Sequence, residues 1–212
     1  MLRITEIFYS LQGEARTVGL PTVFVRLTGC PLRCHYCDTE YAFHGGELQS
    51  IEAILGKVSE YQPRFVCVTG GEPMAQPNCV VLLTALCDAG YSVSLETSGA
   101  IALDSVDPRV SKVVDLKTPA SGEVEKNRYN NIALLTQQDQ IKFVICNRDD
   151  YQWAKFKVDE YHLLDQVGEV LFSPSYQQLP ARELADWILT DNLPVRMQVQ
   201  LHKVIWGNEP GR

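Results

Sequence analysis

Three thiols are the first residues in this chain whose type and spacing could do chemistry. Cys30, Cys34 and Cys37 stand at C-x3-C-x2-C, and none of the other cysteines lies near enough in sequence to complete a local four-thiolate cage. Iron–sulfur clusters are usually held by four thiolates, so a compact triplet points to a four-iron cluster with one iron left for an outside ligand. An open iron does chemistry rather than storing electrons. The competing reading is a zinc site of three cysteines and one histidine, with His35 or His44 as fourth ligand, although structural zinc sites usually show two separated ligand pairs. A disulfide framework fits less well, since three clustered thiols cannot all pair.

The elements that must position these thiols follow from alternation. Short apolar runs occur at Val23-Phe24-Val25, Phe65-Val66-Cys67-Val68, Val93-Ser94-Leu95, Val113-Val114, residues 141–145, Val170-Leu171-Phe172 and residues 198–201. Helical patterns separate many of them, which implies a parallel sheet. Ser50 is an N-cap for a helix with Ile51, Ile54, Leu55 and Val58 on one face, Asn78 opens a second through Leu82, Leu83 and Leu86, and residues 181–189 form a third. Gly45-Gly46 and residues 118–122 read as loops.

Polar motifs stand at the ends of these runs: Arg26 to the thiol loop, Thr69-Gly70-Gly71-Glu72-Pro73, Glu96-Thr97-Ser98-Gly99, Asp115-Leu116-Lys117, Ser173-Pro174-Ser175 and His202-Lys203. In βα barrels the carboxyl ends of different strands converge on one mouth, so dispersed motifs become one site. The chain is too short for eight such units with loops. The expected fold is therefore α/β, an open, incomplete TIM-type barrel of about six parallel strands. At 212 residues it suits one domain, with an N-terminal substrate-binding extension at 1–20 and a tail at 203–212.

A formal charge of -7 and the lack of a basic stripe argue against nucleic acid and favour a small-molecule substrate. The N-terminus has no secretory pattern and no apolar run approaches membrane-spanning length, which places the chain in the cytoplasm without a membrane partner. Cys67, Cys79, Cys87 and Cys146 sit in apolar surroundings and read as core thiols.

The thiol spacing, with Tyr36 before the last cysteine, resembles the cluster loop of the radical S-adenosylmethionine (SAM) superfamily. The resemblance implies a [4Fe–4S] cluster on Cys30, Cys34 and Cys37, with SAM chelating the open iron. It implies SAM contacts from Tyr36, Cys37, Asp38, Gly71, Glu72, Glu96, Ser98, Lys117 and Ser173. In that family the Gly-Gly-Glu-Pro element, here residues 70–73, lets backbone approach the SAM amino group, since no side chain intervenes. On the bland reading those glycines mark a tight turn and Asp115 with Lys117 is a surface ion pair of little energetic value.

Residues 7–14, Arg26, the loop at 30–39, Thr69 to Pro73 and Gln200-Leu201-His202-Lys203 together resemble the 7-carboxy-7-deazaguanine synthases of deazapurine and queuosine synthesis. That resemblance implies a lyase reaction, the contraction of a carboxylated tetrahydropterin with loss of ammonia. It places substrate on the backbone of Leu11, Gln12 and Gly13, on Glu14, Arg26 and Thr69, and on His202 from the last strand. A planar guanidinium suits a carboxylate. It also implies Mg2+ on Thr39, a flavodoxin-type or ferredoxin-type reductant, and a homodimer. The tail after Lys203 and the Asp115-Leu116 pair, where other members carry Ser-Pro, depart from the family pattern. Two rival functions stand beside it: a radical SAM activase that makes a glycyl radical on a partner enzyme, and a zinc-bound interaction module.

Overall fold

The computed structural model describes residues 1–209 and 211. In chain order its elements are β1 (Leu2–Leu11), β2 (Pro21–Leu27), β3 (Glu47–Gln49), α1 (Ile51–Ser59), β4 (Phe65–Gly70), α2 (Cys79–Asp88), β5 (Ser92–Thr97), β6 (Ser111–Asp115), β7 (Gln140–Ile145), α3 (Arg148–Glu160), α4 (Leu163–Gln166), β8 (Glu169–Pro174), α5 (Ala181–Thr190), β9 (Arg196–Met197) and α6 (Leu201–Trp206). Among the described residues the strands form one sheet in the order β3-β1-β2-β4-β5-β6-β7-β8-β9. Pairing is parallel from β2 through β9. The sheet does not return on itself, so the expected incomplete barrel is what forms, with six full parallel strands and a two-residue seventh.

Continuous apolar runs make these strands because both faces are covered. Four consecutive residues are buried in β4 and again in β8. The helices pack outside through one stripe each: Ile54 and Val58 of α1, Leu82, Leu83 and Leu86 of α2, Leu184 and Ile188 of α5. Ser50 caps α1, its Oγ accepting from the Ala53 amide at 3.2 Å. Asn78 precedes α2 but does not cap it with its side chain, which donates to the Met1 carbonyl instead. Cys67 and Cys79 are fully buried, whereas Cys87 and Cys146 are half-buried.

Two stretches differ from the sequence expectation. Residues 1–20 contribute β1, a full strand antiparallel to β2, with β3 added outside it. At the other end, residues 198–201 do not form the last strand. The strand is Arg196–Met197, and Leu201 already starts α6. The run fails as a strand because its polar side chains are claimed from the sheet mouth. Gln198 donates to Ser173 Oγ at 3.2 Å, Gln200 to Glu14 Oε1 at 2.8 Å, and the Leu201 amide to the Gly13 carbonyl at 2.9 Å. Of the tail at 203–212, residues 210 and 212 lie outside the described residues. Among the described residues no helix is long and apolar enough to cross a membrane.

Candidate active site

The carboxyl ends of the parallel strands open into one cavity of about 660 Å³, lined from every full parallel strand, the thiol loop and α6. The six dispersed motifs therefore share one mouth, as barrel geometry requires.

The thiol loop leaves β2 and is tied down on both sides. The Gly29 amide donates to the Ala42 carbonyl at 2.7 Å, and the His35 amide to the Ser121 carbonyl at 3.0 Å. The Arg33 amide donates to Glu123 Oε1 at 2.6 Å. Beneath the loop lie Gly70 and Gly71. A Cβ on Gly71 would come within 2.3 Å of the Gly29 carbonyl and 2.7 Å of the Cys30 Cβ, and one on Gly70 within 2.2 Å of the Leu27 carbonyl. These glycines are thus required by the packing of protein backbone under the cluster loop.

Cys30, Cys34 and Cys37 are free thiols, half-buried, and all line the cavity. Burial pushes all three thiols up, Cys34 to about 11. A cluster held by these thiols would release their protons on binding, so its uptake would depend on pH. Among the described residues no three His, Cys, Asp or Glu side chains converge on a point where a single ion would sit. His44 is exposed and outside the cavity, and the exposed His35 ring packs over Gly122, within 2.9 Å of where a Cβ would stand. The donor set fits a multinuclear cluster with one iron open to the cavity better than a mononuclear zinc site.

Glu72 does not line the cavity. Its carboxylate is fully buried and both oxygens are taken: Oε1 accepts from the Met74 amide at 3.0 Å and Thr97 Oγ1 at 2.8 Å, Oε2 from the Ser98 amide at 2.7 Å and Ser98 Oγ at 2.5 Å. The expected SAM contact of Glu72 has no free oxygen, whereas Ser98 lines the cavity and gives its hydroxyl proton to the same carboxylate. A buried carboxylate needs such donors. Here they tie the turn after β4 to the end of β5.

Lys117 and Asp115 pair at 3.1 Å with side chains only 11% and 16% exposed, so this is no surface pair. Burial works against the Lys117 ammonium, but Asp115 and the Cys34 thiol outweigh it and the net shift is upward. Lys117 Nζ also stands 5.7 Å from the Tyr36 ring centroid. Asp115 Oδ1 and the Tyr36 hydroxyl are buried without a hydrogen-bond partner among the described residues. Two orphaned polar atoms beside the thiols are what a polar ligand such as SAM would satisfy. Leu116 is buried in the core and does not reach the cavity. Ser173 and Glu96 line it.

Glu96 joins this group to the first loop, accepting from Thr69 Oγ1 at 3.0 Å and Gln12 Nε2 at 3.2 Å. The backbone at 12 and 13 is largely used within the protein. The Gln12 amide donates to the Leu20 carbonyl, and the Gln12 and Gly13 carbonyls accept from the Gly19 and Leu201 amides. The Gln12 amide has no proton left for a pterin edge, whereas each of the two carbonyls keeps a second lone pair. Leu11 pairs with Pro21 at the strand end. Glu14 Oε2 is 2.7 Å from Lys142 Nζ. Burial opposes the Lys142 charge, yet Glu14, Asp115 and Glu96 hold its pKa well above the usual value.

Arg26 donates through Nε to Glu6 Oε1 at 2.7 Å in a largely buried pair. Burial pulls its guanidinium down, and Tyr41, Glu6 and Glu96 more than reverse that. His202 reaches the cavity from α6, not from a strand, and its Nδ1 lies 2.0 Å from where a Gly13 Cβ would be, so only glycine fits opposite it. Burial lowers the His202 pKa despite nearby Glu14 and Asp38. Thr39 Oγ1 donates to Asp38 Oδ1 at 2.8 Å at the cavity edge. Burial would raise the Asp38 carboxyl, but the Thr39 bond and Lys203 bring it below the usual range.

Sequence reasoning missed Lys142, Glu6, Tyr41, Gln198 and Gln200. Lys142 did carry a signal, a lone charge in the apolar run of β7. Glu6 carried none, because its partner is set by the pairing register of β1 with β2.

Residues 24–118 match the radical SAM superfamily. The 7-carboxy-7-deazaguanine synthase of Chlorobaculum tepidum is 45% identical over 209 residues, covering 97% of this chain and 94% of that one. The synthase of the same name from Koribacter versatilis is 42% identical, covering 98% of both. The fold matches the crystal structure of QueE from Escherichia coli with a TM-score of 0.76 over 95% of this chain and 94% of that one, at 23% identity. With a cavity that gathers three thiols of one loop and the polar ends of six strands, and with relatives this similar over nearly their whole length, the chain belongs to the 7-carboxy-7-deazaguanine synthase family of radical SAM enzymes.

Proposed function

We propose that this chain is a carbon–nitrogen lyase that contracts 6-carboxy-5,6,7,8-tetrahydropterin to 7-carboxy-7-deazaguanine with loss of ammonia, using a [4Fe–4S] cluster and SAM. The observation that carries this is one cavity holding both a loop of three thiols and an arginine whose terminal nitrogens have no hydrogen-bond partner among the described residues. Bound here, a reduced cluster and SAM would supply one-electron radical chemistry that the protein's own side chains lack. The protein's part is to bind, orient and exclude water.

Cys30, Cys34 and Cys37 would hold the cluster. Tyr36, Asp38, Gly71, Glu96, Lys117 and Ser173 face SAM, with Asp115 added to the set by its orphaned oxygen. Ser98 lines the same half, and Glu72 shapes it from behind. Gln12, Glu14, Arg26, Thr69 and His202 face the pterin, with Arg26 on its carboxylate. Thr39 offers Mg2+ a hydroxyl beside the Asp38 carboxylate, an oxygen pair of the kind this ion accepts while keeping substrate and water ligands. The chain works in the cytoplasm as a homodimer and takes electrons from a flavodoxin-type or ferredoxin-type protein; free thiols at the cluster loop support a reducing compartment.

The test is anaerobically reconstituted, reduced protein incubated with SAM and the carboxylated pterin, followed by mass spectrometry. The deazaguanine product is expected, and its loss in Cys34→Ala. Full turnover by Cys34→Ala removes the cluster assignment, and a glycyl radical on a partner with no deazaguanine product favours an activase.

A further inference from the structure

The arginine assigned to the substrate carboxylate is itself held. Glu6 and Arg26 are cross-strand partners in β1 and β2, at the end of the regular ladder that runs from Leu11–Pro21 to Glu6–Arg26, and the register shifts only beyond them, between Ile4 and Glu6. Directly opposed residues carry their side chains on the same face of the sheet, so the ladder itself brings the two together. Glu6 Oε1 accepts from Arg26 Nε at 2.7 Å and from Tyr41 Oη at 2.8 Å. Tyr41 belongs to the helical turn that follows the cluster loop. The Arg26 guanidinium carbon lies 5.7 Å from the Phe8 ring centroid and 5.8 Å from that of Tyr41. Among the described residues the two Arg26 Nη nitrogens carry no hydrogen bond or ion pair.

We propose that Glu6 is a positioning residue for substrate selection: by occupying Nε of Arg26 it aims the two Nη nitrogens into the cavity as a fixed fork for the substrate carboxylate. Tyr41 braces Glu6 from the cluster-loop side, so the fork is set relative to the place where the radical forms. A guanidinium is rigid within its plane but hangs on a flexible stem, and a partner on Nε removes that freedom before substrate arrives. The inference rests on the assignment of Arg26 to the substrate carboxylate.

The test compares reconstituted holoenzyme carrying Glu6→Ala, Glu6→Gln, Tyr41→Phe and Arg26→Ala, with SAM affinity, iron content and affinity for a tetrahydropterin lacking the carboxylate measured alongside. Loss of a charge-assisted hydrogen bond in Glu6→Ala is expected to raise KM for the carboxylated substrate about tenfold with kcat within about twofold. Glu6→Gln keeps an acceptor and Tyr41→Phe keeps the ring, so each is expected to raise KM only about threefold. SAM affinity, iron content and binding of the uncarboxylated pterin stay as in wild type. If Glu6→Ala does not fold, the two milder variants carry the test. An unchanged KM at Glu6 while Arg26→Ala raises it overturns the proposal alone. An unchanged KM in Arg26→Ala overturns the carboxylate assignment and the proposal with it. Equal weakening of the uncarboxylated pterin and SAM also overturns it, because that marks a loosened fold rather than a misaimed fork.

Discussion

Lys142 Nζ stands 2.7 Å from Glu14 Oε2, joining a strand deep in the sheet to the loop after its first strand. Both side chains are mostly buried, so each charge relies on the other. Lys142→Met is expected to cost about 3 kcal/mol of stability by leaving the Glu14 carboxylate short of its counter-charge. The double variant Lys142→Met with Glu14→Gln is expected to regain part of that, read by denaturant unfolding of all four proteins in a cycle. Strict additivity of the two single losses would show that the pair is not coupled.

Glu72 is expected to matter before any cofactor binds. Glu72→Ala orphans the Met74 and Ser98 amides and strips the two hydroxyls of their acceptor, a loss of about 3 kcal/mol for buried donors. The unfolding midpoint of protein that has never met iron or SAM should fall accordingly. A midpoint equal to wild type would return Glu72 to the role of a direct SAM ligand.

Gly71→Ala is expected to lift the cluster loop, since the new methyl would press on Gly29 and Cys30. Iron incorporated on reconstitution should drop sharply while the far-ultraviolet circular dichroism stays native. Gly56→Ala is the control. Its Cβ meets nothing within 4 Å, and in α1 it should stabilise by about 0.5–1 kcal/mol. Equal iron content in the two variants would contradict the packing argument.

His202 sets a pH dependence whose sign follows from burial. Its folded pKa lies below the usual 6.5, so the native state binds fewer protons than the unfolded one between the two values. Stability from this group is full above the unfolded value and is lost as pH falls through 6.5 toward the folded pKa. The Tm of wild type is therefore expected to drop more than that of His202→Asn between pH 7.5 and 5.5 (about one pH unit either side of the ordinary imidazole value). A parallel pair of curves would count against it.

The cluster loop was legible because its logic is local: Cys30, Cys34 and Cys37 announce themselves by spacing alone. The parallel strands were legible because two-sided burial writes continuous apolar runs, as in β4 and β8. What escaped was set by long-range competition. The Val199 region has strand composition, yet Gln198 and Gln200 are drawn to Ser173 and Glu14, more than twenty and 180 residues away, and α6 starts early. Glu72 was visible in its motif, but nothing in the motif tells whether its side chain points into the cavity or into the wall behind it. Glu6 faces Arg26 through the pairing register of β1 and β2, which no local pattern encodes.

Helix α6 buries none of its own residues, and its leading end is moored through the Leu201 amide on Gly13 and the Gln200 amide on Glu14. The wall that carries His202 is therefore built from both ends of the polypeptide at once. During synthesis the loop at 12–14 leaves the ribosome early and must wait for nearly two hundred further residues before its partner emerges. Until residues 200–202 emerge, Gly13 and Glu14 lack these two partners and the wall that carries His202 is not yet built.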